Sequence, residues 1–330
     1  MRASRIASRA KKQLCIECAN INMIDILLAT YNGARYISQQ IDSLLSQGYP
    51  DWKLFVRDDG SSDNTMDIVK GYVLKYPDKI NLIKDSLGQL GPSLSFGRIL
   101  ETADSDYFMF CDQDDVWLPD KIKITFDKIK EIEKKYGLNT PVLIHTDLKV
   151  VDKDLNVIAN SFWKYQHLNP EKGKTLNRLL VQNVITGCTA MINKALKDKI
   201  KLLPEQTIMY DWWISLVAAT FGKIDFVPTA TILYRQHNDN IVGAKAWNAR
   251  YVMKMLSGMS SIKTTLQKTQ LQAKAFLDTF RDDLTDEYSN LLNVYSTLDR
   301  QNFFIKRLNI IKYKFFKIGL LRNIGLFLAV

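Results

Sequence analysis

Cysteine is scarce in this 330-residue chain, which has four: Cys15, Cys18, Cys111 and Cys188. They are too few and too scattered to staple a disulfide scaffold. The lone Cys15–Cys18 CxxC has no second pair, which argues against a zinc or redox motif, and a reducing cytoplasmic setting is expected. Histidine is scarcer, at three residues. No uncharged apolar run reaches the roughly 18 residues of a spanning helix, so no transmembrane segment is expected. The chain has no GxGxxG and no GxxxxGK[ST], which excludes the dinucleotide fingerprint and the P-loop. It also lacks the alternating ligands and distal Glu of an EF-hand. Internal repeats and low-complexity tracts are absent as well.

What is present belongs to a folded protein, with 46% hydrophobic and 24% charged residues. Its length allows one large domain with an appendage. The net charge of +10 and pI near 9.2 call for an anionic partner. The first 22 residues are rich in Arg, Lys, Ala and Ser without the apolar stretch of a secretory signal, and they read as a disordered basic extension. At the other end, residues 303–330 hold six Lys or Arg and no acid, interleaved with aromatic and aliphatic side chains. Such a tail suits an anionic membrane surface, or packs its apolar side on the body.

Apolar periodicity and turn residues predict β-α-β-α-β-α-β over the first hundred or so residues. Strands fall at 24–29 (IDILLA), 52–57 (WKLFVR), 80–84 and 107–111. Helices fall at 34–47, 65–75 and 93–103, the second capped by Ser62 or Asp63. Such alternation demands a mostly parallel sheet covered on both faces. Further on, the pattern predicts a helix at 121–136 and a strand from 141 leading into a pair that turns near 152–156. A GCTAMI strand at 187–192, a helix at 212–221 entered through Asp211, and short strands at 224–227 and 231–234 follow. From about 244 to 330 the pattern is helical.

Acids cluster where those parallel strands end. YFMFC runs into Asp112, Asp114 and Asp115; WKLFVR runs into Asp58 and Asp59; IDILLA runs into Thr30, Tyr31, Asn32 and Gly33. Open α/β sheets bind ligands at the carboxyl ends of their strands. Asp112 and Asp114 lie two apart, so on extended backbone they point the same way and repel unless a cation lies between them. The pair reads as a Mg²⁺ or Mn²⁺ site that also holds phosphate oxygens, against the alternative of a solvated turn. Asp59 can accept the imide N–H of uracil or thymine, with Asp58 serving a ribose or its own loop. DDGSSDN is also a sound turn without any ligand.

DILLATYNG, VRDDGSSDNT and DYFMFCDQDDVWLPDK, in that order and spacing, resemble the family-two glycosyltransferases, inverting enzymes with a GT-A fold. The likeness is especially to bacterial rhamnosyl- and galactosyltransferase-like members acting on surface polysaccharides. It covers roughly residues 24–243. The resemblance implies a GT-A domain at 23–243, a helical region at 244–330, and one sugar moved from a UDP- or dTDP-sugar to a glycan hydroxyl, the glycan being lipid-linked. The basic residues crowd toward the two termini, which suits a membrane surface better than a nucleic-acid groove, so a cytoplasmic chain, peripheral on the cytoplasmic face of the membrane and without a nucleic acid partner, is expected. Carried over by position, Thr30, Tyr31, Asn32, Asp58 and Asp59 would bind the nucleotide. Asp112 and Asp114 would take the metal, Asp114 directly. Asp211 would be the base, whose competing reading is a helix N-cap. Arg235 and His237 would clamp the diphosphate. The family's processive members carry QxxRW and spanning helices; this chain has neither, which implies single transfer. Tyr210 stands where a Glu often precedes the base. Two rivals are a sugar-phosphate nucleotidyltransferase, which lacks its Gly-rich basic loop here, and a non-catalytic membrane- or nucleic-acid-binding protein, which would not need three acid clusters.

Overall fold

The computed structural model describes residues 22–237, 243–244 and 259–330. Apart from Asn22, the basic extension expected over 1–22, including Cys15 and Cys18, lies outside the described residues, as does the stretch 245–258. The first half follows the predicted alternation: β1 Ile24–Thr30, α1 Ile37–Leu45, β2 Trp52–Asp58, α2 Thr65–Lys75, β3 Ile80–Leu82, α3 Pro92–Thr102 and β4 Tyr107–Cys111. β1 pairs in parallel with β2 and β4, and β2 with β3, so the spatial order is 3-2-1-4. The order reverses between β1 and β4, and ligands of open α/β sheets bind at such a switch point.

Both faces of these strands are covered, which explains why they read as unbroken apolar runs. Successive side chains alternate between two cores. Tyr107, Met109 and Cys111 of β4 join Ile37, Ile41 and Leu44 of α1, while Phe108 and Phe110 join Phe96 and Ile99 of α3.

The second half is mixed. Its elements are β5 Val116–Trp117, α4 Lys121–Tyr136, β6 Val142–Val151, β7 Val157–Ala159, α5 Phe162–Tyr165, α6 Pro170–Gly173, α7 Leu176–Leu179, β8 Met191–Asn193, α8 Lys194–Lys199, α9 Tyr210–Phe221 and β9 Lys223–Arg235. β8 lies antiparallel between β4 and β6, and β9 pairs parallel with β6 and antiparallel with β5. Two expectations change here. Residues 187–189 form a 3₁₀ turn, so only Met191–Asn193 of the predicted GCTAMI strand is extended. The two short strands expected after α9 are one, because a register shift around Pro228 absorbs its missing donor without ending the strand.

Four longer segments follow: α10 Met259–Thr279, α11 Asp286–Ser296, α12 Phe303–Lys312 and α13 Leu320–Ala329. They share the core of the α3–α9 face. Trp213 of α9, fully buried, meets Phe276 and Phe280 of α10 with ring centroids 5.2 Å and 6.2 Å away. Trp213 is therefore core, as is Trp163, which packs on His145 and Phe226.

Candidate functional site

The ends of β1, β2 and β4 are tied together by their own polar side chains. Thr30 Oγ1 donates to Asp58 Oδ1 at 2.9 Å, and Asp58 Oδ2 accepts the N–H groups of Gly60 and Ser61. Asp58 therefore shapes its own loop, one of the two roles its position suggests. Asn32, in the left-handed region at φ 48°, donates its N–H to Ser61 Oγ and accepts from the Ser62 N–H. The N-cap of α2 is Asn64, not the expected Ser62 or Asp63, and it makes no side-chain cap; Asp63, one residue earlier, accepts the Thr65 N–H on Oδ1 at 3.0 Å. Across the switch point, Gln113 grips Tyr31 twice: its Oε1 accepts the Tyr31 N–H at 3.0 Å and its Nε2 donates to the Tyr31 carbonyl at 2.9 Å. Tyr31 itself is 47% exposed, so its ring is available to a ligand on the rim.

Asp59 is buried at the foot of the same rim. Oδ1 accepts from Arg57, Ser95 and the Leu90 N–H, and Oδ2 from the Gly91 N–H. Burial alone would raise its pKa, but these donors outweigh it and hold the carboxyl below its ordinary range. Of its two oxygens, Oδ2 retains the spare acceptor capacity for a ligand N–H.

The acid cluster after β4 is built in two tiers. In the upper tier, Asp114 Oδ2 lies 2.7 Å from His237 Nε2. In the lower tier, Asp112, Asp115 and Cys188 bring their ligating atoms within 4.8 Å of one another. Burial, reinforced by the charges of Asp114 and Asp211, raises the Asp112 pKa. Asp115 is raised too, by burial first and then by Asp114 and Asp112. Its Oδ1 accepts the Arg235 N–H at 3.0 Å, whereas Oδ2 is buried and takes no hydrogen bond. Beneath them Lys121 is fully buried, its Nζ 4.4 Å above the Trp117 ring, and burial pulls its ammonium down to about 8.

Arg235 departs from its expected role as a diphosphate clamp. It is 2% exposed, and its guanidinium donates to the carbonyls of Asp114 and Lys153 and to Gln39 Oε1. It braces the acid loop from behind, because β9 runs beneath that loop. Arg98 of α3 pairs with Glu101 at 2.9 Å.

Asp211 is not an N-cap. Met209 holds that position, and Asp211 lies in the first turn of α9. Its Oδ2 accepts the Gly187 N–H at 3.0 Å, while Oδ1 is buried without a partner. Burial raises this carboxyl to about 6, against the N–H groups of Trp212 and Gly187. The neighbouring Trp212 is occupied elsewhere, its indole N–H donating to the Leu179 carbonyl.

Thr30, Tyr31, Asn32, Asp58, Asp112, Asp114, Asp211 and His237 are thus brought together at the strand ends, with Asp59 buried below them and Arg235 behind the acid loop. The donor set there fits a hard divalent cation: carboxylates predominate, Asp112 feels the charges of Asp114 and Asp211, and Asp115 Oδ2 lacks a donor. The soft ligand Cys188 is held protonated, its thiol pushed up by burial and then by Asp112 and Asp115. Sequence reasoning missed Gln113, Cys188 and Lys121. For Lys121 a signal existed, since it opens an amphipathic helix on its apolar side.

The profile described as glycosyl transferase family 2 matches residues 25–200. The chain is 31% identical over 240 residues to a dTDP-rhamnosyl transferase, RfbG, of Shigella flexneri, covering 68% of this chain and 76% of that protein. It is 28% identical over 207 residues to an uncharacterized glycosyltransferase, RT0329, of Rickettsia typhi, with 62% of this chain and 61% of that one covered. Among solved structures, residues 1–349 of S. aureus TarS in complex with UDP-GlcNAc superpose with a TM-score of 0.51 at 20% identity, over 84% of this chain and 80% of that one. At that identity the likeness concerns the fold, which is the GT-A one.

Proposed function

The chain belongs to glycosyl transferase family 2, and from that premise we propose that it moves one sugar, with inversion, from a UDP- or dTDP-linked donor to a hydroxyl of a growing surface glycan. The catalytic unit in this reading is 23–243. The acceptor is lipid-linked and met at the cytoplasmic face of the membrane. Similarity to a dTDP-rhamnosyl transferase makes dTDP-rhamnose the first donor to test.

One observation carries the reading: Gly187 donates to Asp211 Oδ2 at 3.0 Å, and the next residue, Cys188, has its Sγ within 4.8 Å of the Asp112 and Asp115 carboxylates. Metal-type acids and a base candidate therefore share one rim. Asp211 Oδ1, buried and unpartnered, is placed to accept the proton of an attacking hydroxyl. Gly187 holds the other oxygen and fixes the direction in which Oδ1 points. Tyr31 and Asn32 bound the nucleotide end, where Gln113 fixes the Tyr31 backbone. Asp114 and Asp112, with His237 beside Asp114, are the residues that would hold Mg²⁺ or Mn²⁺, which supplies positive charge against the departing diphosphate. Arg235 keeps those acids in place through the Asp114 carbonyl and its own N–H to Asp115.

The test is a donor screen of UDP-, dTDP- and GDP-sugars with Mn²⁺ or Mg²⁺ and a soluble hydroxyl acceptor, scoring both released nucleotide and glycosylated product. Product from a UDP- or dTDP-sugar is expected. Nucleotide joined to a sugar phosphate, with no transfer, would overturn the reading.

A further inference from the structure

Helices α12 and α13 turn an apolar face away from the protein. Phe304, Leu308 and Ile311 stand at i, i+4 and i+7 on α12, and Leu320, Ile324 and Leu328 at i, i+4 and i+8 on α13. All six are between 43% and 77% exposed. At these spacings each set forms one stripe. The opposite sides are spent on the body: Ile310 of α12 and Leu326 and Ala329 of α13 are buried, as is Phe315 between the helices. The two helices are also tied together, Arg307 donating to the Phe327 carbonyl at 2.9 Å. The outward stripes are therefore a fixed surface.

The charge around them says what covers it. Residues 303–330 hold six Lys or Arg and no acid. A second copy of this chain would bring those cations against one another, which disfavours a symmetric dimer. Of these cations, Lys312 and Lys314 stand exposed by the α12 stripe, and an apolar stripe flanked by cations is the pattern of an interfacial helix on anionic lipid. Each helix has 10 residues, about 15 Å of length against a hydrocarbon core of about 30 Å, so each lies along the surface. We infer that α12 and α13 form a docking surface for an anionic lipid bilayer.

The location gives the surface a purpose, and this step rests on the transfer reading above. The segment between the helices is bolted to α7 and its flank: Arg178 donates to the Phe316 carbonyl, and the Ile318 N–H to Gln182 Oε1. α7 in turn holds α9 through the Trp212–Leu179 bond. Docking there would set Asp211 at a constant height above the bilayer that carries the acceptor.

The test is co-sedimentation of the full chain with vesicles of equal parts phosphatidylcholine and phosphatidylglycerol, against phosphatidylcholine alone. Binding about 10-fold or more stronger to the anionic vesicles, and weakened by salt, is expected. Leu308→Glu with Ile324→Glu should remove it while transfer to a soluble acceptor, measured without vesicles, stays unchanged. Should that pair fail to fold by circular dichroism, Lys312→Glu with Lys314→Glu, both exposed, must weaken anionic binding. Three results would overturn the inference: no wild-type binding to anionic vesicles, binding indifferent to folded variants, or a dimer by light scattering that Leu308→Glu dissolves. Binding without any transfer would sink only the enzymatic reading.

Discussion

His237 Nε2 lies 2.7 Å from Asp114 Oδ2, joining the residues just after β9 to the acid loop after β4 across 123 positions of sequence. In the proposed metal site, a histidine so placed either shares the cation with the carboxylate or aims the carboxylate at it. Replacing it by Ala should weaken metal binding roughly 10- to 100-fold, as loss of an orienting partner does. The measurement is nucleotide release as a function of Mn²⁺. Asp114→Ala should leave no metal-dependent turnover at any concentration. Full activity in both variants would remove the cation from this loop.

Asp211 makes a pH prediction. Its carboxyl is raised to about 6, first by burial, with the Trp212 and Gly187 N–H groups opposing. In the proposed mechanism the ionised form is the base, so kcat/KM should fall on the acid side by about tenfold per pH unit below that value and level off above it. Asp211→Asn should lose about 10²-fold or more in transfer while still binding donor, and lose the acid limb with it. The sign for stability runs the other way. A raised carboxyl costs stability as pH climbs from the unfolded value through about 6, so the Asn variant should melt no lower than wild type at pH 8.

Arg57 carries a purely structural prediction. It is 1% exposed, with Nη1 2.7 Å from Asp59 and Nε 2.9 Å from Asp85. Arg57→Ala would strand Asp59 in the interior and should cost about 3–5 kcal/mol in urea unfolding at neutral pH. Asp59 is held below its ordinary pKa, so its share of stability is present above the unfolded value near 3.8 and is lost as pH falls through the depressed one. In Arg57→Ala that acid-side loss should shrink. An unfolding curve matching wild type would mean that the pair contributes nothing.

The parallel half of the fold was legible because its central strands β1 and β4 are buried on both faces and its helices carry apolar stripes. Those are local signals, and α2, α4 and β4 begin and end where the sequence predicts. The mixed half was less so. Residues 187–189 turn with Gly187 packed against Tyr210, distant in sequence, whose hydroxyl occupies the space a side chain at Gly187 would need. The rim acids were readable as acids at strand ends. Their division of labour was not, because the partner that engages Arg235 is a loop 120 positions away. Burial of that guanidinium leaves no local trace.

Gly187 offers the sharpest test of how the base is seated. A Cβ there would lie 2.1 Å from the Tyr210 hydroxyl oxygen and 2.6 Å from its ring carbon Cζ. A buried aromatic on the first turn of α9 cannot retreat without moving that turn, and the Gly187 N–H is also what holds Asp211 Oδ2. Gly187→Ala should therefore displace Asp211 by a fraction of an ångström to an ångström, enough to lower kcat by about 10²-fold. Donor affinity, which the proposed function assigns to Tyr31 and its neighbours, should stay near wild type. Gly71 is the control: it lies in α2, where an added Cβ would meet nothing within 4 Å. Gly71→Ala should leave kcat alone and stabilise by about 0.4–1 kcal/mol. Equal turnover in the two alanine variants would show that the hydrogen bond from Gly187 does not govern where the base sits.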